Sequence, residues 1–429
     1  MIKIINSKDI SLEDIFIRNL SLPDVSGQVA EIIRNVRKDG DSALLAYSEL
    51  FDGVRPEPIE VTEEERREAF CSVDPEFIDI LKEAAENIKN YHSRQIQSGY
   101  VISEKDGIIL GQKVMPLEKV GLYVPGGTAS YPSTVLMNCI PAKIAGVQEI
   151  IITTPPGKDG KIRPDIVAAA EIAGADRIIK CGGAQAVAAL AYGTESVPKV
   201  DKIVGPGNIF VAEAKRQVFG AVAIDMIAGP SEILVIADKE SDPAVLAADL
   251  LSQAEHDRLA TAVLITDSAE LAQAASKEIE RQLSALPREE IARASIENNG
   301  KIIVAESVEA AIDIANRIAP EHLELFVDDP FKYLNRIKNA GSIFLGKNCP
   351  EPLGDYFAGT NHTLTTSGTA KFSSPLSVED FVKKSSYMYY SMEALNAVSG
   401  KIAYFAEKEG LHAHALSALI RSKRQRAGD

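Results

Sequence analysis

The chain has 429 residues, 45% of them hydrophobic and 25% charged, and a formal net charge of −15. That length supports more than one lobe with a well-packed core, and the negative charge excludes general binding to nucleic acid or to anionic membranes. Small molecules are the expected partners.

The start, with Lys3, Asn6, Ser7, Lys8 and Asp9, offers no apolar run for a signal peptide. The most apolar region, 221–237, is interrupted by Asp225, Gly229, Pro230 and Glu232, so no membrane span is expected and the address is cytoplasmic. Four scattered cysteines, Cys71, Cys139, Cys181 and Cys349, form no C-x-x-C and are expected to be free thiols.

In chain order, Val29, Ile32, Ile33 and Val36 recur at helical spacing; Gly40 and Asp41 then close that helix and open another through Leu44, Leu45, Tyr47 and Leu50. Asp74 caps a longer helix with Pro75 in its first turn and Phe77, Leu81, Ala84, Ile88 and Tyr91 on one face; His92, ending the stripe, has a structural role. From residue 120 short apolar strands alternate with helices, the strands at 120–124, 149–153, 177–180, 202–204 and 222–225. Such alternation implies parallel sheet with right-handed crossovers and binding loops at the carboxyl ends of the strands. Glycine turns fall at those ends: Gly121 to Gly127, Cys181-Gly182-Gly183-Ala184-Gln185 and Gly205-Pro206-Gly207-Asn208. Each precedes a helix, where bare backbone amides and the helix amino end favour a phosphate, although none matches G-x-G-x-x-G.

Gly229-Pro230-Ser231-Glu232 marks a boundary before a second α/β unit, with strands at 233–237, 262–266 and 301–304 and helices at 244–255, 268–283 and 308–318. The last segment, 377–429, has a mostly helical pattern, and its basic end, Arg421, Lys423, Arg424 and Arg426, complements a helix carboxyl terminus.

Chemistry concentrates in four places. Pro320 disfavours helix for the residue before it, so Glu321 and His322 stand where helix gives way to a strand-like 323–327, a carboxylate beside an imidazole suited to proton transfer. Gln253 and His256, three apart at a helix end, project from one face together with Asp249. Asp355 and His362 lie in the polar, loop-like stretch 354–362. His412 and His414 diverge by roughly 200° if helical, so one of the two is the better metal ligand. Gln253, His256, Asp355 and one terminal His make an N/O set suited to zinc or a similar ion.

The motifs, taken in order, resemble the histidinol dehydrogenase family over nearly the whole chain: Gly121 to Gly127, Gly182-Gly183-Ala184-Gln185, Val204 to Asn208, Ala228 to Glu232, Leu251 to His256, Pro320 to Glu324 and Gly359-Thr360-Asn361-His362. The resemblance implies oxidation of L-histidinol through L-histidinaldehyde to L-histidine with two NAD molecules and a bound zinc ion. It implies Gln253, His256, Asp355 and His414 as zinc ligands, His322 as general base and Glu321 as the carboxylate that activates water. Ser231, His322, Glu409 and His414 would also contact substrate, and Tyr123, Gln185 and Asn208 would line the NAD site. The implied fold is α/β, two incomplete Rossmann-like parallel-sheet domains. One is discontinuous, 24–123 with 232–376, and carries the metal and catalytic residues; 124–231 is inserted and contributes to the NAD site; an N-terminal segment, 1–23, and a helical tail, 377–429, complete it. A homodimer is implied, with Glu409 and His414 donated across it.

Three other expectations compete with water-driven aldehyde oxidation. Cys139 or Cys181 could form a thiohemiacetal, Cys181 sitting at a glycine turn where a thiolate is favoured. A zinc hydrolase with Glu321 acting on metal-bound water would need no nicotinamide, and a binding module would bind without turnover.

Overall fold

The computed structural model describes residues 1–9, 23–126 and 130–423. Expectations touching 10–22, Gly127 or the basic end past Lys423 lie outside the described residues. The strands are, in chain order, β1 (Lys3–Asn6), β2 (Tyr100–Ile102), β3 (Ile108–Pro116), β4 (Lys119–Tyr123), β5 (Glu149–Thr154), β6 (Arg177–Lys180), β7 (Lys202–Val204), β8 (Ala223–Ile224), β9 (Glu232–Ala237), β10 (Thr261–Thr266), β11 (Lys301–Val304), β12 (His322–Phe326), β13 (Ser342–Leu345) and β14 (Val382–Tyr390).

The chain divides into two units, 1–95 with 117–381 and 96–116 with 382–429. The first holds two all-parallel sheets, five-stranded in the order β6-β5-β4-β7-β8 and six-stranded in the order β1-β11-β10-β9-β12-β13. Their central strands are apolar and covered on both faces, as parallel strands with helical crossovers must be; all six residues of β9 are buried. Strand order reverses between β4 and β7 in one sheet and between β9 and β12 in the other, which opens a crevice at each reversal.

The expected division at residue 123 is not how the sheets divide. β4 hydrogen-bonds to β5 on one side and β7 on the other, so it is a middle strand of the five-stranded sheet. Helix Ser26–Asp52, broken at Gly40 by a positive φ of 55°, packs on helices Gly183–Tyr192 and Ile209–Val218 of that sheet. Helices Glu63–Ser72 and Pro75–His92 pack there too, against Pro164–Ala173 and Pro132–Ala145. Buried Val29, Ile33 and Ile88 join cores built on β4 and β5. In contrast β1, expected as part of a separate N-terminal segment, pairs with β11 of the six-stranded sheet.

The second unit is an antiparallel sheet, β14-β3-β2, with helices Met392–Lys408 and His412–Lys423 packed through Ala403, Ala406 and Ala415. The tail is therefore not all helical. Val382, Tyr387, Tyr389 and Tyr390 are strong strand formers, and β14 pairs with β3 over its whole nine-residue length.

Candidate active site

Helix Val308–Ile318 stops at Ala319, a fully buried non-glycine residue in the left-handed conformation (φ 53°, ψ 63°). Pro320 prevents any return to helix, and the carbonyls of Pro320 and Glu321 accept the amides of Gly341 and Ser342 at 2.9 and 2.8 Å. These bonds set the register of β12, which starts at His322 between Ile233 of β9 and Ser342 of β13. Alternation along the strand then turns Leu323 and Leu325 into the apolar core and His322 with Glu324 to the opposite face.

His322 is 4% exposed, and its Nδ1 lies 2.9 Å from the carbonyl of Glu232, to which it donates. Its Nε2 has no hydrogen-bond partner and stands 3.7 Å from a carboxylate oxygen of Glu351 and 3.8 Å from one of Asp355. Burial opposes the imidazolium, but Glu321, Asp355 and Glu351 together carry its pKa up to about 10. Glu321 accepts the Glu232 amide at 2.9 Å, and burial pushes its carboxyl up to about 7. Asp355 runs against its own burial: His322 and His362 hold it well below the usual carboxylate range, while burial and Asp355 raise Glu351. The group is a cation ringed by acids.

Asp355 lies on a short helix, Glu351–Tyr356, and not in the loop expected from its glycines. Glu324 makes that helix possible, because its carboxylate takes the first amide, Glu351 N, at 2.8 Å. Glu351 and Asp355, four apart, then share a face. Asp249 and Glu324 also act on each other electrostatically, and burial raises both carboxyls. His362 fixes the other side: its Nδ1 lies 3.0 Å from the Asp355 carbonyl and its Nε2 3.2 Å from Thr134 Oγ1.

His322, Glu351 and Asp355 each place one ligand atom within 4.8 Å of the others, an N/O donor set able to hold a divalent ion. Gln253, in the last turn of helix Pro243–Ala254, is buried with its Oε1 lacking any partner. His256 follows and is exposed to solvent, yet the protein atoms around it lower its pKa, Asp355 raises it and His322 lowers it further, so the three share one electrostatic environment. Ser231 precedes β9, its carbonyl accepting the Thr261 amide at 2.9 Å. Glu409 caps helix Met392–Lys408 in the second unit, and His414 is exposed on helix His412–Lys423, which also takes in His412.

Glu351 and Glu324 are site residues that sequence reasoning did not single out. Glu324 carried a signal, an acid at an alternating position of an otherwise apolar strand. Glu351 carried none, since a six-residue helix is too short to show a period.

A second site occupies the carboxyl edge of the five-stranded sheet, where the glycine turns were expected to gather. A cavity of about 630 Å³ is lined by Tyr123, Gln185 and Asn208 with Gly126, Pro155 and Gly183. Gly182 leaves no room for a side chain, since an added Cβ would stand 2.8 Å from Pro155. Tyr123 Oη accepts the Gly183 amide at 3.0 Å, and Asn208 caps helix Ile209–Val218 through the amides of Phe210 and Val211 at 3.0 and 3.2 Å. Gln185 Oε1 is buried without a partner. Beneath the turn, buried Lys215 pairs with Asp225 and donates to the Gly205 carbonyl at 3.0 Å, while Asp225 accepts the Gly205 amide at 2.8 Å. The surroundings of the neighbouring cysteine disfavour its thiolate: burial pushes Cys181, and likewise Cys139, up to about 12.

A family model described as histidinol dehydrogenase matches residues 18–422. The histidinol dehydrogenase of Clostridium acetobutylicum is 59% identical over 392 residues, covering 91% of each chain, and that of Bacillus cereus is 57% identical over 403 residues, covering 94% of each. A crystal structure of histidinol dehydrogenase from Elizabethkingia anophelis matches with a TM-score of 0.94 at 37% identity over 99% of both chains. Family model, relatives and solved structure agree over nearly the full length, and the chain belongs to the histidinol dehydrogenase family.

Proposed function

We propose that this dehydrogenase oxidises L-histidinol to L-histidine through L-histidinaldehyde, in the cytoplasm, using two NAD molecules and a zinc ion. The observation that carries it is the partnerless His322 Nε2 beside Asp355 and Glu351, with Glu321 adjoining in sequence. An imidazole held by the Glu232 carbonyl on one nitrogen has a single direction in which to take a proton.

The donor set fits a metal. Gln253 Oε1 and Glu351 Oε1 are buried oxygens with no partner, Asp355 lies with Glu351 and acts electrostatically on His256, and such buried oxygens are costly unless something binds them. Gln253, His256, Asp355 and the His414 of a second copy would hold it. Bound there, a divalent ion would supply a Lewis-acid anchor for the nitrogen atoms of the substrate; with Asp355 committed to it, His322 would be freed from the proton that the acids otherwise keep on it. The cavity fits NAD on similar grounds, through the buried Gln185 Oε1, the Tyr123 wall, the capped turn at Asn208 and the glycines closed against Pro155. NAD supplies the hydride acceptor for both steps.

In the first step His322 Nε2 takes the hydroxyl proton as hydride leaves the same carbon, giving aldehyde. In the second, Glu321 as carboxylate takes a proton from water that adds to the aldehyde, and loss of a second hydride gives the acid. Ser231, Glu409 and His414 orient the amino alcohol. The homodimer is favoured by the second unit's exposed apolar residues, Met388 at 72%, Phe405 at 67% and Leu416 at 60% exposed, and by Glu409 and His414 facing outward on it.

The test is absorbance at the NADH band on mixing protein, histidinol and NAD, with elemental analysis of the purified protein and assay after chelation and refilling. Two NADH per histidine formed and metal-restored turnover are expected; a protein active without nicotinamide would overturn the proposal.

A further inference from the structure

Asp52 ends helix Ser26–Asp52, where a carboxylate meets the negative end of the helix dipole. Its Oδ2 is buried and accepts no hydrogen bond, and burial raises its pKa. Three separate costs thus fall on one side chain, and none of the described residues offsets them by a hydrogen bond to Oδ2. Asp52 also lines the cavity of Tyr123, Gln185 and Asn208, and it is the one acid among the described lining residues, which include the cations Lys158 and Arg163.

A carboxylate can only accept, so the missing partner is a donor brought by the ligand. On a dinucleotide the donors that suit a two-oxygen acceptor are ribose hydroxyls, whereas its phosphates suit the cations of the lining, Lys158 and Arg163. We infer that Asp52 selects NAD over NADP, accepting a hydrogen bond from a ribose hydroxyl and repelling a phosphate placed on it. This rests on the NAD proposal above.

The full-length protein is titrated calorimetrically with NAD and with NADP, as wild type, Asp52→Asn and Asp52→Ala, and each is melted to verify folding. Wild type is expected to bind NAD at least about tenfold more tightly than NADP, and each variant to lose about tenfold for NAD while gaining for NADP. Equal affinity of wild type for both nucleotides overturns the inference even if no variant folds. So does a loss that is the same for both, which would point to an amine of the ligand as the donor. Failure of wild type to bind either nucleotide defeats the NAD proposal itself.

Discussion

The two parallel sheets of the first unit present opposite edges to chemistry. The five-stranded sheet uses its carboxyl edge, where glycine turns lead into helices and only three of the described lining residues of the cavity, Asp52, Lys158 and Arg163, carry a charge. The six-stranded sheet uses its amino edge: His322 is the first residue of β12, Glu232 the first of β9, and Gln253 lies at the carboxyl end of an antiparallel-running helix. One edge is built by subtraction, the other by crowding charges into a dry place. A recess that only has to receive a ligand gains from bare amides, whereas proton transfer needs ionisable groups whose pKa values burial has moved.

That contrast breaks first at His322. His322→Asn is expected to lower turnover of both histidinol and histidinaldehyde by about 10²–10⁴-fold in stopped-flow assays, with NAD affinity unchanged. Lys215→Met should act on the other sheet: leaving Asp225 buried without its cation costs about 3–5 kcal/mol in urea unfolding, and His322 chemistry should survive in the protein that remains folded.

Glu321→Gln should slow aldehyde oxidation by about 10²-fold while sparing the first hydride transfer. Equal slowing of both halves would contradict the division of labour. Since Glu321 must be ionised and its pKa is raised from 4.5 to about 7, the aldehyde step in wild type should rise with pH through about 7, a limb the Gln variant lacks. The sign for stability is the reverse. The folded state holds this proton more tightly than the unfolded chain, so the contribution is present at acid pH and lost as pH rises from 4.5 towards 7, and the Gln variant should melt with less pH dependence across that window. The smallest effect is Gly182→Ala, which pushes on Pro155 and should weaken NAD binding about tenfold by calorimetry with aldehyde chemistry intact at saturation.

Most of the parallel framework was legible in the sequence because buried strands are short unbroken apolar runs; 177–180, 202–204, 301–304 and helix 308–318 have the expected bounds. The antiparallel β14 was not, since Lys383, Lys384, Ser385 and Ser386 leave its pattern without an apolar face, and all its residues but Val382 are exposed. Pairing partners were equally hidden: nothing local in Lys3–Asn6 reveals that it sits beside residues 301–304. Within the candidate site, Glu321, His322, Gln253 and Asp355 stood out by residue type and spacing. Glu351 did not, and the acid at 324 signalled a position without its part, because accepting an amide or crowding a neighbour depends on β12 and helix Glu351–Tyr356 meeting in space.

Ala319 has an implication for engineering. A left-handed alanine costs about 1 kcal/mol or more, and glycine would relieve it. Yet glycine there would also widen the range of directions in which the peptide leaves the helix, and the acid and the imidazole follow two and three residues on. The fold keeps a standing torsional tension at this joint in exchange for aim, so a substitution that makes the protein harder to melt here should make it a poorer catalyst.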